Sequence, residues 1–429
     1  MGNSGVRRVA FASSTGNAVE LYDFLLYGTA SALVFDKLFF PSFDPRIGTL
    51  LSLATFGAGF LARPLGGIVI GHFGDRIGRR TMLVLTLTVT GVCTALIGLL
   101  PTYSSIGIFA PILLILLRLV QGFFLGGEQG GATLMTVEHA PPGKTGWYGS
   151  WTFLGSPLGL LLASAAMTLS VSISGDSFLR WGWRLPFLFS LVLVGVGLYV
   201  RLSIEESPVF RKTREEGETA KLPIAEVLRN HWRTVLLGAG VNFGFNMFIF
   251  VLATFAVSYG TRQLGMTRST LLNATLVGTF AQAVMILVFA RLSDRVGRLP
   301  VMLSGAVFLG VFAFPLFWLL ETRQPALVVL AMVIGFGGSA AIFGPMPAYY
   351  AELFGPKIRY SGVSLSYQLG AVLGGGLSPV IAAALLGLTS ASWPVSLYLV
   401  GGALVSALCV LAIGETISGR AASPVPVER

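Results

Sequence analysis

Charge is what this sequence has least of. Only 11% of its 429 residues are Asp, Glu, Lys or Arg, against roughly 25% in a soluble domain. A water-soluble chain of this length needs far more polar surface to cover its core, so a soluble globular protein is excluded. Cysteine is nearly absent. Cys93 and Cys409 lie in apolar runs far apart, which leaves no disulfide framework and no CxxC metal site. The three histidines, His72, His139 and His231, fall at or near predicted loops, no two on one helix at ligand spacing. No metal site is therefore expected. No nucleophile–base constellation or phosphate-cradling loop is seen, so neither catalysis nor a cofactor is expected.

What the chain has instead is hydrophobic sequence, 54% of residues, with a mean hydropathy of +0.78. A spanning helix needs about 20 mostly apolar residues. Twelve such runs can be marked, near 9–32, 48–71, 81–100, 109–133, 147–170, 183–203, 232–258, 269–290, 300–320, 325–349, 360–388 and 394–414. The first carries Glu20 and Asp23 inside it, which a cleavable signal rarely tolerates, so it reads as a retained membrane helix. The 54 glycines are accounted for mostly by close helix approach in lipid.

The net charge of +10 is scattered over short loops and forms no stripe, so nucleic acid is not expected as a partner. It follows instead the positive-inside rule. With a cytoplasmic N-terminus, about twenty of the 29 basic residues fall in even-numbered connections and tails. A cluster from Arg201 to Arg233 is the largest, and the opposite loops hold only Lys37, Arg46, Arg180, Arg184, Arg262, Arg268 and Arg323. This predicts a multi-pass protein of a bacterial inner (plasma) membrane with both termini cytoplasmic. The longest hydrophilic stretch, 204–231, divides the chain into a six-helix half at 1–203 and another at 232–414, with a short tail at 415–429. A charged helix is expected within the linker.

An internal repeat supports the division. GHFGDRIGRR at 71–80 follows the second run, and ARLSDRVGRL at 290–299 follows the eighth, 219 residues later. The motif reads as a short cytoplasmic turn in which glycines permit the bend and an acid sits among arginines. Such a cluster can hold one helix end and release it. The candidate gate is therefore Gly71, Asp75, Arg76, Gly78, Arg79 and Arg80, with Asp294, Arg295, Gly297 and Arg298 in the second half.

The doubled turn resembles the signature of the major facilitator superfamily. Other stretches resemble its metabolite:proton symporter family: GNAVELYDF at 16–24, ARPLGG at 62–67, RLVQG at 118–122 running into GGEQGGA at 126–132, WGWRLPF at 181–187, ESPVF at 206–210, AELF at 351–354 and RYSG at 359–362. The match spans nearly the whole chain in order. It departs from the family pattern at Leu21 and Gln129 on path-lining helices, and at Ala290 and Leu299 in the second turn. The last two imply a weaker gate contact there. The resemblance implies a secondary transporter; the family includes carriers of 2-oxoglutarate, citrate, shikimate, and proline or betaine.

Five charges fall inside membrane runs: Glu20 and Asp23 in the first, Arg63 in the second, Arg118 and Glu128 in the fourth. Facing lipid at the bilayer centre, each costs at least roughly 2.5–3.5 kcal/mol, so they should face inward and pair. Three acids oppose two arginines, which leaves one carboxylate over. Desolvation favours the neutral, protonated form of such a group, making it a proton carrier candidate, with Asp23 or Glu20 preferred over Glu128 for depth. A static network stapling the helices is the rival reading. Arg118 is also a candidate ligand for a solute carboxylate.

Shifted by 219, Asn242 stands opposite Asp23 and Gln282 opposite Arg63. Coupling is thus expected in the first half and hydrogen bonding to solute in the second. Solute-binding candidates are Tyr22, Tyr27, Arg118, Asn242, Asn246, Gln282, Tyr367 and Gln368; helix–helix packing is the alternative for each. The expected fold is all-α, twelve transmembrane helices in two pseudo-symmetric six-helix halves, with the solute site near the midplane between them. The expected function is import of a small organic acid or zwitterion with a proton, by a monomer working through alternating access. An uncoupled facilitator, a proton-driven exporter, and more remotely a membrane sensor or enzyme are the alternatives.

Overall fold

In a bilayer the backbone must bond within its own segment or within a closed barrel, and these long apolar runs choose the first. The computed structural model describes residues 3–42, 45–218 and 220–422, and it is helical throughout, with no strand among the described residues. Twelve long helices follow one another. They are α1 (Asn3–Ala30), α2 (Pro45–Arg76), α3 (Arg79–Leu99), α4 (Phe109–His139), α5 (Thr145–Gly182) and α6 (Arg184–Leu202). Then come α7 (Trp232–Arg262), α8 (Arg268–Val296), α9 (Arg298–Glu321), α10 (Pro325–Leu353), α11 (Arg359–Thr389) and α12 (Trp393–Ala422). By length and hydropathy α3 to α12 supply ten spans among the described residues, and α1 with its continuation to Phe39 makes an eleventh, bent span. α2 is the remaining long helix, at 32 residues. The final residues, 423–429, lie outside the described ones.

The chain forms two compact units. One comprises Met1–Val227 with Phe354–Gln368, the other Leu228–Leu353 with Leu369–Arg429. The covalent rod of α11 therefore belongs partly to each.

In the first unit, glycine lets α2 and α4 meet backbone to backbone. A methyl group at Gly66 would run into the Phe123 carbonyl, one at Gly122 into that of Gly59, and one at Gly126 into that of Arg63. An aromatic cluster forms part of the buried core of this unit. Trp183 is fully buried, with Phe35 and Phe39 edge-on at 6.0 Å each and Phe187 at 5.9 Å. The stretch after α6 forms two short helices rather than one, Pro208–Glu215 and Pro223–Asn230. Ser207 caps the first, accepting from the Phe210 amide at 3.1 Å, and Pro208 occupies the position where a missing N–H is harmless. In the second unit, Phe245 of α7 stacks on Phe343 of α10 with ring centres 4.4 Å apart.

Candidate functional site

Glu20, Asp23 and Tyr27 recur on α1 at i, i+3 and i+7, one face of the helix, and that face turns inward. Asp23 is 1% exposed, and neither carboxylate oxygen has a hydrogen-bond partner. The charges acting on it are Arg118, Glu128 and Glu20. The Thr94 hydroxyl lies beside it but commits its one hydrogen to the Thr90 carbonyl at 3.0 Å. A buried carboxylate in this state bears its full desolvation cost.

Arg118 of α4 is also 1% exposed. Its guanidinium lies 4.2 Å from the centre of the Tyr27 ring and donates to Gln121 Oε1 at 2.6 Å. Gln121 in turn donates to Thr94 Oγ1 at 2.8 Å, so the polar chain leads back towards Asp23. Gly59 makes room for it: a Cβ there would lie 2.8 Å from Arg118 Nε. Arg63 is held by aromatic faces, 4.6 Å from the Phe60 ring centre and 5.4 Å from that of Phe24. Its electrostatic neighbours are Glu20 and the Tyr367 hydroxyl.

The charge count read from the sequence needs correction. Arg201, assigned there to the basic loop cluster, lies in the last turn of α6 and is 2% exposed. It forms a buried ion pair with Glu128 and donates to the Leu83 carbonyl. Gly16 of α1 leaves the space its guanidinium fills. Buried charge is therefore not confined to α1, α2 and α4. Three arginines face three acids, and Glu128 is the acid with a dedicated partner. A helix-terminal Arg in a run of loop charges carries no sequence mark that distinguishes it from its solvated neighbours.

The remaining candidates fall in several places. Tyr22 is fully buried in the aromatic cluster and donates to the Pro186 carbonyl at 2.6 Å. Tyr27 shares a hydrogen with Thr55 Oγ1 at 2.7 Å. Gln368 donates to the Gly126 carbonyl at 2.9 Å. In the second unit, Asn246 donates to Asn242 Oδ1 at 2.7 Å, and Gln282 donates to Ser339 Oγ at 2.9 Å. Those amides thus bridge α8 to α10 and brace one turn of α7.

The first repeated turn is a buried polar cluster. Asp75 accepts from the Tyr360 and Ser361 amides at 3.1 and 2.9 Å and from the Ser361 hydroxyl at 2.9 Å. An anion thereby meets the open N–H groups at the start of α11. Arg79, 1% exposed, reaches Asp75 and Glu138 at 3.4 Å each, and Arg359 reaches Glu138 at 3.1 Å. Glu206 accepts from the amides of Arg79 at 3.0 Å and Arg80 at 3.1 Å. Gly78, at φ +127°, makes the bend, as does Gly297 at +97°. Gly71 does something else. It lies within α2, where a Cβ would come 2.8 Å from Ser361 Cα, so it serves close approach and not the turn. Arg76 and Arg295 are exposed. In the second turn Arg298 pairs with Asp294 at 2.7 Å and Glu352 at 3.3 Å. Glu138 escaped the sequence reading, and Glu352 entered it only within the AELF stretch and not as a gate residue, because an acid at a helix end looks like any solvated one.

Ten helices among the described residues, and an eleventh, bent span, are long and apolar enough to cross a bilayer, which defines a multi-pass membrane protein. The sequence profile of sugar (and other) transporters matches residues 9–231, and that of the Major Facilitator Superfamily matches residues 253–424. The chain belongs to the major facilitator superfamily. The shikimate transporter of Escherichia coli K12 is 42% identical over 96% of this chain and 95% of its own length. The proline/betaine transporter of Salmonella typhimurium LT2 is 35% identical over 96% of this chain and 84% of its own. The fold is that of the proton:xylose symporter XylE, at TM-score 0.75 and 15% identity over 97% of this chain and 96% of XylE. It is also that of the human organic anion transporter MFSD10, at TM-score 0.67 and 17% identity over 95% and 99%.

Proposed function

We propose that this transporter couples proton entry to the uptake of a small metabolite bearing a carboxylate, across a bacterial inner membrane, by alternating access. The observation that carries the reading is Asp23: a carboxylate 1% exposed, with neither oxygen hydrogen-bonded, beside Arg118. Such a group gains by taking a proton, and gains by releasing it when water and Arg118 draw nearer. Asp23 is thus the proton carrier, with Glu20 its neighbour on the same face. Glu128 is held by Arg201 and serves the framework.

The solute class follows from the arginines and from the relatives. Arg63 and Arg118 rest on aromatic faces, which orient a guanidinium while leaving its edge able to fork onto a carboxylate. Shikimate, proline and betaine, the solutes named for two relatives, each carry one carboxylate. Asn242, Asn246 and Gln282 supply amide hydrogen bonds to the rest of the solute. The Asp75 and Asp294 turns act as cytoplasmic latches, with both termini on that side, and one chain suffices for transport.

The test is a solute pulse to right-side-out proteoliposomes in weakly buffered medium. Symport alkalinises the medium as shikimate, proline or betaine enters. Solute entry with no pH change identifies an uncoupled facilitator and overturns the coupling; acidification identifies exchange in the opposite sense.

A further inference from the structure

The second unit holds a cavity of about 610 Å³ between the end of α7 and the start of α8, a size that suits a small ligand. Thr254, Ser258 and Arg262 line it from α7 at four-residue steps, with Thr261 beside them, and Arg268 and Leu272 line it from α8. The turn between the two helices is fixed. Gly265, at φ +67°, makes the bend, the Met266 amide donates to the Gly260 carbonyl at 2.9 Å, and Thr267 caps α8. A short, braced connection thus sets two guanidiniums at one hollow.

Two cations share this wall, and among the described residues no carboxylate joins them. Glu321, at the end of α9, is engaged elsewhere, accepting from the Tyr259 and Ser392 hydroxyls at 2.9 and 2.6 Å. Arg268 is also the first residue of α8, in a turn that holds no acid. A cation there opposes the helix dipole, which favours an anion at that end. An anion in the hollow relieves this opposition and the repulsion between the two guanidiniums.

The hollow also lies on the polar side of α8. At 100° per residue, Arg268, Leu272, Thr275, Thr279 and Gln282 fall within an arc of about 80°. The exposed apolar residues Val277, Phe280, Val284 and Val288 centre about 160° away. The cavity therefore sits on the face that carries Gln282, which is roughly 21 Å farther along the axis. We infer that this cavity is an outer capture site for the carboxylate of the transported solute. Arg262 and Arg268 hold the anion, and Thr254 and Ser258 bond its polar groups, at the head of the face that leads to Gln282. The inference rests on the reading of the solute as a carboxylate and on the positive-inside orientation, which puts this loop outside.

The test treats purified protein in lipid nanodiscs with the arginine reagent phenylglyoxal and reads modification by peptide mass spectrometry. Shikimate should slow modification of Arg262 and Arg268 at least threefold. Its uncharged methyl ester should not, and Arg323, exposed but outside the cavity wall, should react at an unchanged rate. In right-side-out proteoliposomes, R262Q/R268Q should raise the KM for shikimate uptake at least threefold. R262K/R268K should hold it near the wild-type value, which separates lost charge from lost fold. No protection, equal protection by the ester, equal slowing at Arg323, or an unaltered KM in R262Q/R268Q overturns the site. Protection in a wild-type protein that takes up none of shikimate, proline and betaine upholds the cavity as an anion site and overturns instead the carboxylate reading of transport.

Discussion

Arg201 of α6 reaches across to Glu128 of α4 and closes an ion pair in which each side chain is 2% exposed. Truncating one member of a buried pair strands the other, at a cost on the order of 3–5 kcal/mol. Arg201→Ala and Glu128→Ala should each lower the melting temperature of the purified protein by several degrees. An apolar double variant, R201M/E128L, should recover most of the loss. A single variant that melts like the wild type would show that the pair bears no such burden.

Gly59 sits where a Cβ would press within 2.8 Å of Arg118 Nε. Overpacking of this kind costs about 1–3 kcal/mol, and here the strain falls on the guanidinium that stacks on Tyr27. Gly59→Val should reduce solute uptake at least tenfold while the protein remains folded and monodisperse. Uptake at the wild-type rate would separate Arg118 from the transport path.

Asp23 supplies the sharpest test of coupling. Wild-type accumulation should rise as the outside is made more acidic than the inside. Asp23→Asn cannot change charge, so its solute exchange should persist while accumulation becomes independent of the pH difference. Counterflow and proton-driven uptake in vesicles measure the two separately. If Asp23→Asn still accumulates solute against a gradient, the proton travels elsewhere.

Asp75 accepts three hydrogen bonds from the start of α11. Bonds to a charged acceptor contribute about 1.5–3 kcal/mol each. In Asp75→Asn the Tyr360 and Ser361 amides should exchange with deuterium at least roughly tenfold faster than in the wild type. Unaltered exchange at these amides would mean the carboxylate does not tie down the helix end.

The two turns differ in depth: Arg79 has 1% of its side chain exposed and Arg298 13%. Ion pairs weaken with access to water, so Arg79→Ala should depress the melting temperature more than Arg298→Ala. The reverse order would contradict the burial seen here.

Much of this was legible in one dimension. Apolar runs bounded by loop charge located the twelve helices, because a bilayer demands about 20 apolar residues and leaves the backbone no alternative. The repeat of GHFGDRIGRR as ARLSDRVGRL was equally visible, and Gly78 and Gly297 make the two bends that its glycines promised. Asp23 and Arg118 could be singled out because a charge inside an apolar run has to be explained. What composition and spacing could not decide was which charges at helix ends are buried. Arg201 and Arg76 look alike in sequence, yet one is sealed against Glu128 and the other is exposed. Gly71 read as a turn residue and proved to be a contact for Ser361. Burial and pairing depend on which helices meet and on the space their glycines leave, and that is settled only when the chain is packed in three dimensions.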